Sequence, residues 1–215
     1  MKIGILGSGD VGRSLGSGFA KKGHDVTIGT RDPKKPVLKK WLKTNNGNAS
    51  VGTFAEAAAH GNIVILATHG EATETVLEQV GPRAFEGKLV IDATNPLDFS
   101  NGMPPGVFVG TTDSLGERVQ RKLPRSQVVK CFNIVNHGMM TDPKMREGVP
   151  DMLICGNDKA AKRKVAKLLK EFGWNDPIDV GGIEGARWLE AWVPLWVRIA
   201  NELGSWDVAL KILRS

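Results

Sequence analysis

Tyrosine is absent from this chain, and cysteine occurs only at Cys131 and Cys155. Without tyrosine, a reductase mechanism built on a tyrosine and lysine pair is excluded. Each cysteine falls inside an apolar strand-like run, "VVKCFN" and "MLICG", which suits a buried thiol, so neither a disulfide framework nor a metal centre is expected. Long hydrophobic runs are missing as well. Nothing approaches the roughly 20 apolar residues that a membrane helix needs, and "MKIGILGSGD" lacks the pattern of a cleaved leader. The expectation is a cytoplasmic protein with no membrane partner.

Basic residues outnumber acidic ones, 29 to 23, for a net charge of +6. One basic group, Lys34, Lys35, Lys39, Lys40 and Lys43, follows Thr30 and Arg31 directly. The other lies in "DKAAKRKVAKLLKEF" and reads as the solvated face of an amphipathic helix. No aromatic interleaving accompanies either group, so no nucleic-acid partner is expected and the charge points to a phosphate-bearing small molecule.

The 215 residues, 41% of them hydrophobic, suffice for one large domain with a small appendage. "KIGIL", a helical-period segment ending at Gly23, and "DVTIG" make a βαβ unit. The alternation continues with "TFAEAAAH", "NIVILATH", "EATETVLEQV", "KLVIDATNP", "SLGERVQRKL" and "VVKCFNIV". Near-continuous apolar strands separated by helices predict an α/β fold, a Rossmann-type doubly wound and mainly parallel sheet. "DMLICG", the lysine-rich helix and "DPIDVGG" extend the sheet. The dinucleotide-binding domain is expected over residues 1–181 and a mostly helical C-terminal segment over 182–215. Turn-forming residues predict loops at 43–50, 98–106 and 141–150.

The pattern "GSGDVG" follows the first strand and opens the first helix, which is the context that makes it a dinucleotide fingerprint. Gly7 permits the turn, Gly9 lets backbone approach a pyrophosphate, and Gly12 allows helix and strand to pack closely, with Ser8, Asp10 and Val11 completing the loop. Asp10 would repel a pyrophosphate if aimed at it, so it is expected to accept hydrogen bonds from the first helical turn. After the second strand, where an acidic residue would hold a ribose hydroxyl, the chain has Thr30 and Arg31. A hydroxyl and a guanidinium suit a 2′-phosphate, and with Lys34 and Lys35 nearby they predict NADP(H).

The nicotinamide should then reach the carboxyl ends of later strands, "ATHG", "ATNPL" and "FNIVNHG". Ala67, Thr68, His69, Asn95 and Pro96 are expected to contact the cofactor, together with Lys35. His69, Asn95, Asn133 and His137 are the candidates for a role in the chemistry, with Asn136 beside them. The set holds no evident nucleophile, carboxylate pair or metal cluster, which suits hydride transfer by positioning. Near the C-terminus Trp188, Trp192 and Trp196 recur every four residues with Pro194 between the last two, predicting a bent helix whose aromatic face packs in a core, a homodimer interface or a pocket wall, with Trp206 able to join.

The segments "IGILGSGDVGRSLG", "VTIGTRDP", "VIDATNPL", "VVKCFN" and "GARWLEAWVPLWVRIA" resemble those of the coenzyme F420-dependent NADP oxidoreductases over nearly the whole chain. The N-terminal part is also similar to the cytosolic domain of the STEAP ferric reductases. The resemblance implies NADP held by Ser8 to Val11, Thr30, Arg31 and a nearby lysine. It also implies a dissociable partner, F420 or a flavin such as FAD or FMN, stacked on the nicotinamide. It departs at "FNIV", where Asn133 stands in place of a histidine common among deazaflavin users. The alternatives are a flavin or ferric reductase of the STEAP type and an NADP(H) sensor without chemistry.

Overall fold

A computed structural model describes residues 1–45 and 47–213. The first half alternates strictly: β1 (Lys2–Leu6), α1 (Asp10–Lys21), β2 (Asp25–Gly29), α2 (Pro36–Thr44), β3 (Ala49–Gly52), α3 (Phe54–His60), β4 (Ile63–Leu66), α4 (Gly70–Val80) and β5 (Leu89–Asp92). A short hairpin follows, β6 (Leu97–Asp98) with β7 (Gly106–Val107), then α5 (Leu115–Lys122) and β8 (Gln127–Lys130). The chain closes with β9 (Leu153–Gly156), α6 (Lys159–Phe172), β10 (Ile178–Asp179) and α7 (Ala186–Leu203).

Eight strands form one sheet in the order β10-β9-β8-β5-β4-β1-β2-β3. Every neighbouring pair is parallel except β8 with β9. The period of two along each strand explains the double winding. Ile3, Ile5, Ile63, Ile65, Leu89 and Ile91 enter one core, whereas Leu6, Val64, Leu66 and Val90 enter a second core on the opposite face. Chain direction along the sheet reverses its growth between β1 and β4, and that junction is where a doubly wound sheet opens a crevice.

The structure revises several sequence expectations. Residues 43–50 are not one loop, because Lys43 and Thr44 end α2, and Ala49 and Ser50 begin β3; residue 46 lies outside the described residues. Pro36 starts α2, which buries Leu38 and Trp41, and the indole of Trp41 donates to the Arg13 carbonyl at 3.1 Å and the Ser17 hydroxyl at 2.8 Å on α1. The segment 98–106 carries the turn of the β6–β7 hairpin, and Met145 and Gly148 form an isolated bridge inside 141–150. The lysine-rich face of α6 is not wholly solvated, since Lys162 is buried and bonds Asp179 at 2.7 Å. The C-terminal helix stops at Gly204, in left-handed backbone (φ 63°), and residues 205–213 run without helix. There the Asp151 N–H donates to the Leu210 carbonyl and the Ile212 N–H to the Asp151 carboxylate.

Candidate functional site

The glycine loop crosses the carboxyl end of β1. Gly7 has φ +132°, and a Cβ there would lie 2.1 Å from the Ala67 carbonyl oxygen of the β4 loop, so only glycine fits. Gly12 is equally constrained, with the Gly7 carbonyl oxygen 2.0 Å from its would-be Cβ. Gly9 is different. No atom lies within 4 Å of its would-be Cβ, and it stands at the N-cap of α1 without a side-chain cap. Backbone N–H groups of the first turn of a 12-residue helix therefore face an open cradle, which is the arrangement that takes a pyrophosphate.

Asp10 does not cap that helix, contrary to the sequence reading. Its carboxylate pairs with the Arg13 guanidinium, whose Nη1 donates to the Ser8 carbonyl at 2.6 Å. A charged partner one turn away outcompetes the backbone amides for the carboxylate. Arg13, not singled out by sequence, thus braces the loop.

At the end of β2, Thr30 is buried and its hydroxyl lies 2.9 Å from that of Ser8. Arg31 is exposed and has no hydrogen bond or ion pair among the described residues. Lys35 is half-buried at the start of α2 and Lys34 is exposed. A phosphate beside Thr30 would meet this free guanidinium without breaking an existing pair.

Across the crevice, Thr68 bonds Thr73 at 2.8 Å, and Thr73 donates to the His69 carbonyl, which fixes the turn from β4 into α4. His69 itself is exposed, Ala67 is half-buried and Pro96 is buried. Asn95 and Asn133 hold each other: the Asn95 amide donates to the Asn133 carbonyl at 2.9 Å, and the Asn133 amide donates to Asn95 Oδ1 at 2.9 Å. Asn133 also donates to the Leu189 carbonyl of α7 at 3.1 Å. It follows Phe132, a fully buried residue at φ +70°, a conformation that costs about 1–3 kcal/mol in a non-glycine residue and marks functional sites. That turn also ends β8 at Lys130, so Cys131 sits just beyond the strand rather than inside it.

His137 does not join the paired asparagines. The segment after β8 carries it over to α1, where its Nδ1 lies 2.9 Å from the Ser14 hydroxyl. Asn136 donates to the Trp206 carbonyl at 3.4 Å, tying this segment to the C-terminal tail. Trp196 and Trp206 pack with ring centroids 5.6 Å apart, while Trp188 is 65% exposed, so the three recurring tryptophans do not share one environment.

Beneath the asparagines lies an ion cluster that sequence reasoning missed. Lys130 Nζ, fully buried, is 2.9 Å from Asp92 Oδ2 and 2.6 Å from Glu190 Oε1. The Glu190 carboxylate also accepts from the Leu115 and Gly116 N–H groups at 2.8 and 2.9 Å, at the positive end of α5. Burial alone would lower the Lys130 pKa, but the Asp92 and Glu190 carboxylates outweigh it and hold the value above that of an ordinary lysine. Charged residues within apolar runs, Asp92 in "VIDATN" and Lys130 in "VVKCFN", were the available signal. This cluster seats α7 against the carboxyl ends of β5 and β8.

Comparison with known proteins places the site in context. Residues 2–96 match the family described as NADP oxidoreductase, coenzyme F420-dependent. An F420-dependent NADP reductase of Methanocaldococcus jannaschii is 32% identical, over 99% of this chain and 98% of that protein. The metalloreductase STEAP3 of Rattus norvegicus is 30% identical over 96% of this chain, which spans only 38% of the longer protein. A solved structure from Arthrobacter sp. FB24, provisionally described as an F420-dependent NADP-reductase, is 42% identical with a TM-score of 0.95 and full coverage of both chains.

Proposed function

The chain belongs to the coenzyme F420-dependent NADP oxidoreductases, and from that premise we propose that it transfers hydride between NADP(H) and the deazaflavin ring of F420, or a flavin in its place. It is an NADP-dependent oxidoreductase; the identity of the second ring is the proposal. The observation that carries the cofactor half is the open cradle at Gly9 together with the unengaged Arg31 beside buried Thr30.

NADP(H) supplies the hydride at nicotinamide C4. Ser8, Asp10, Val11 and the loop glycines bind the pyrophosphate through backbone N–H groups. Arg31 and Lys35 hold the 2′-phosphate. Ala67, Thr68, His69, Asn95 and Pro96 line the way to the nicotinamide, and Asn133, fixed by Asn95 and Leu189, orients the second ring. These side chains act by alignment and by excluding water.

The C-terminal segment, residues 182–215 in this reading, walls the partner pocket and joins two copies of the chain. Trp188, Leu195 and Leu203 are each at least half exposed, an apolar face that suits a homodimer, and light scattering would test it. No helix among the described residues is long and apolar enough to cross a membrane.

Anaerobic mixing of the protein with NADPH and, separately, F420, FAD and FMN tests the proposal by following NADPH absorbance. Rapid reduction of F420 or a flavin supports it. NADPH binding with no turnover of any of them overturns it in favour of a sensor.

A further inference from the structure

Two side-chain polar atoms at the seam between the β8 loop and α7 are buried without a hydrogen-bond partner among the described residues: Asn133 Oδ1 and Trp192 Nε1. Leaving such an atom unsatisfied destabilises the fold, so two at one seam call for an explanation. The Asn133 amide cannot be turned over to relieve its share. Its Nδ2 donates to Asn95 Oδ1 and to the Leu189 carbonyl, both acceptors only, so rotation would lose two bonds.

Both atoms are tied to α7. Asn133 is 4% exposed and is bonded to the carbonyl of Leu189, and Trp192 lies three residues further along the same helix, hence on the same face. Trp192 is half-buried and packs against the core cluster that contains Phe132, Ile134 and Leu189. One atom is an acceptor and the other a donor. Their complement is a group with a carbonyl beside an N–H.

We infer that Asn133 Oδ1 and Trp192 Nε1 form a two-point recognition pair for an amide edge on a ring bound in the crevice. The inference rests on the hydride-transfer reading above. Two rings of that reaction carry such an edge: the carboxamide of nicotinamide and the pyrimidine imide of a deazaflavin or flavin. Trp192 Nε1 donates to the carbonyl, and Asn133 Oδ1 accepts from the N–H. Access comes from the turn that bears Trp192. Pro194 has no N–H to give to the Glu190 carbonyl, so α7 lacks one backbone bond beside this turn, and rotation of the half-buried indole would give a ring its way to both atoms.

The test is equilibrium binding, which needs no turnover. Dissociation constants for NADPH, F420 and FMN would be measured on the full chain and on Trp192→Phe, which keeps an aromatic ring at the position and removes the N–H donor together with part of the indole's bulk. Loss of one hydrogen bond is expected to weaken binding about fivefold to tenfold for the ring that uses it. Weakening confined to NADPH assigns the pair to the carboxamide; weakening confined to F420 and FMN assigns it to the imide. For the imide, 3-methyl-FMN, which lacks the N–H, should also bind the unaltered protein several-fold more weakly than FMN. Unchanged constants for all three ligands overturn the inference. So does equal weakening of all three with a lower melting temperature, which would mark a packing role alone. Should no acceptor be reduced by the unaltered protein, the proposed function fails, while the NADPH titration still decides this pair.

Discussion

The hydroxyl of Ser8, in the glycine loop, lies 2.9 Å from the hydroxyl of Thr30, at the end of β2. The two residues come from different strands, and the contact sets the spacing between the pyrophosphate cradle and the place where a 2′-phosphate would lie. The Arg13 bond to the Ser8 carbonyl fixes the same loop from the other side. The glycine loop is thus held by protein groups before a cofactor arrives, which lowers the ordering cost of binding.

Gly9→Ala separates cofactor binding from folding. Its backbone (φ −71°, ψ −171°) is open to alanine, and the added methyl meets no protein atom within 4 Å. The melting temperature should stay within about a degree or two, since surface changes of this kind usually fall within about 0.5 kcal/mol. NADPH affinity should fall at least tenfold, because the methyl enters the cradle. Titration by tryptophan fluorescence checks this, and unaltered affinity would remove Gly9 from the site.

Arg31→Glu replaces a free cation with an anion where the phosphate of NADP(H) is placed. The Michaelis constant for NADPH should rise by one to two orders of magnitude, about the worth of a charge-assisted bidentate contact plus repulsion, while that for NADH barely moves. Steady-state assays with both cofactors decide it. Equal loss with both would show that Arg31 shapes the loop rather than reading the phosphate.

Glu190→Gln keeps the shape of the cluster under α7 and removes one charge. Lys130 would retain Asp92 alone, and the new amide group would face N–H donors of α5. Disrupting a buried pair in this way costs about 3 kcal/mol. Urea denaturation should show that loss, and a change below about 1 kcal/mol would mean that the cluster contributes little.

Asp113 gives a pH signature. Hydrogen bonds from Arg121 chiefly, helped by the Ser114 N–H and Arg118 and opposed by partial burial, lower its pKa from 3.8 to about 2. A carboxyl lowered in the folded state stabilises the protein above the unfolded value, and that contribution fades as pH falls from about 4 to about 2. Partial exposure limits it to about 1 kcal/mol or less. Asp113→Asn should therefore be slightly less stable at pH 6 and equal at pH 2. A gap that persists at pH 2 would point to packing instead.

Much of the βαβ unit that carries the candidate cofactor site was legible because its signals are local. Gly7, Gly9 and Gly12 sit within one turn, and Thr30 with Arg31 ends a strand whose apolar run is plain. β4 and β5 are uniformly buried and read directly as central strands. α2 escaped notice because lysines surround its two buried positions, Leu38 and Trp41, and β3 because an edge strand is only half-buried. The Lys130–Glu190 pair joins segments distant in sequence, and no spacing rule connects them. Residues 204–213 keep an apolar content that suggests helix, yet Gly204 turns the chain and Asp151 takes up its backbone. His137 was placed by its strand and turned out to be placed by Ser14.

The two buried thiols give the molecule an uneven chemical clock. Cys155 pairs in register with Lys130 across the β8–β9 junction, and Cys131 follows that lysine directly. Burial pushes the Cys155 thiol up to about 12, and Cys131 higher still, so neither offers a reactive thiolate near neutral pH while the strands stay together. An alkylating reagent therefore reports the parting of β8 from β9 and is silent about the strands that carry Gly9 and Arg31. Labelling rates with and without NADPH would show how far a ligand bound on one side of the sheet restrains the opening of the other.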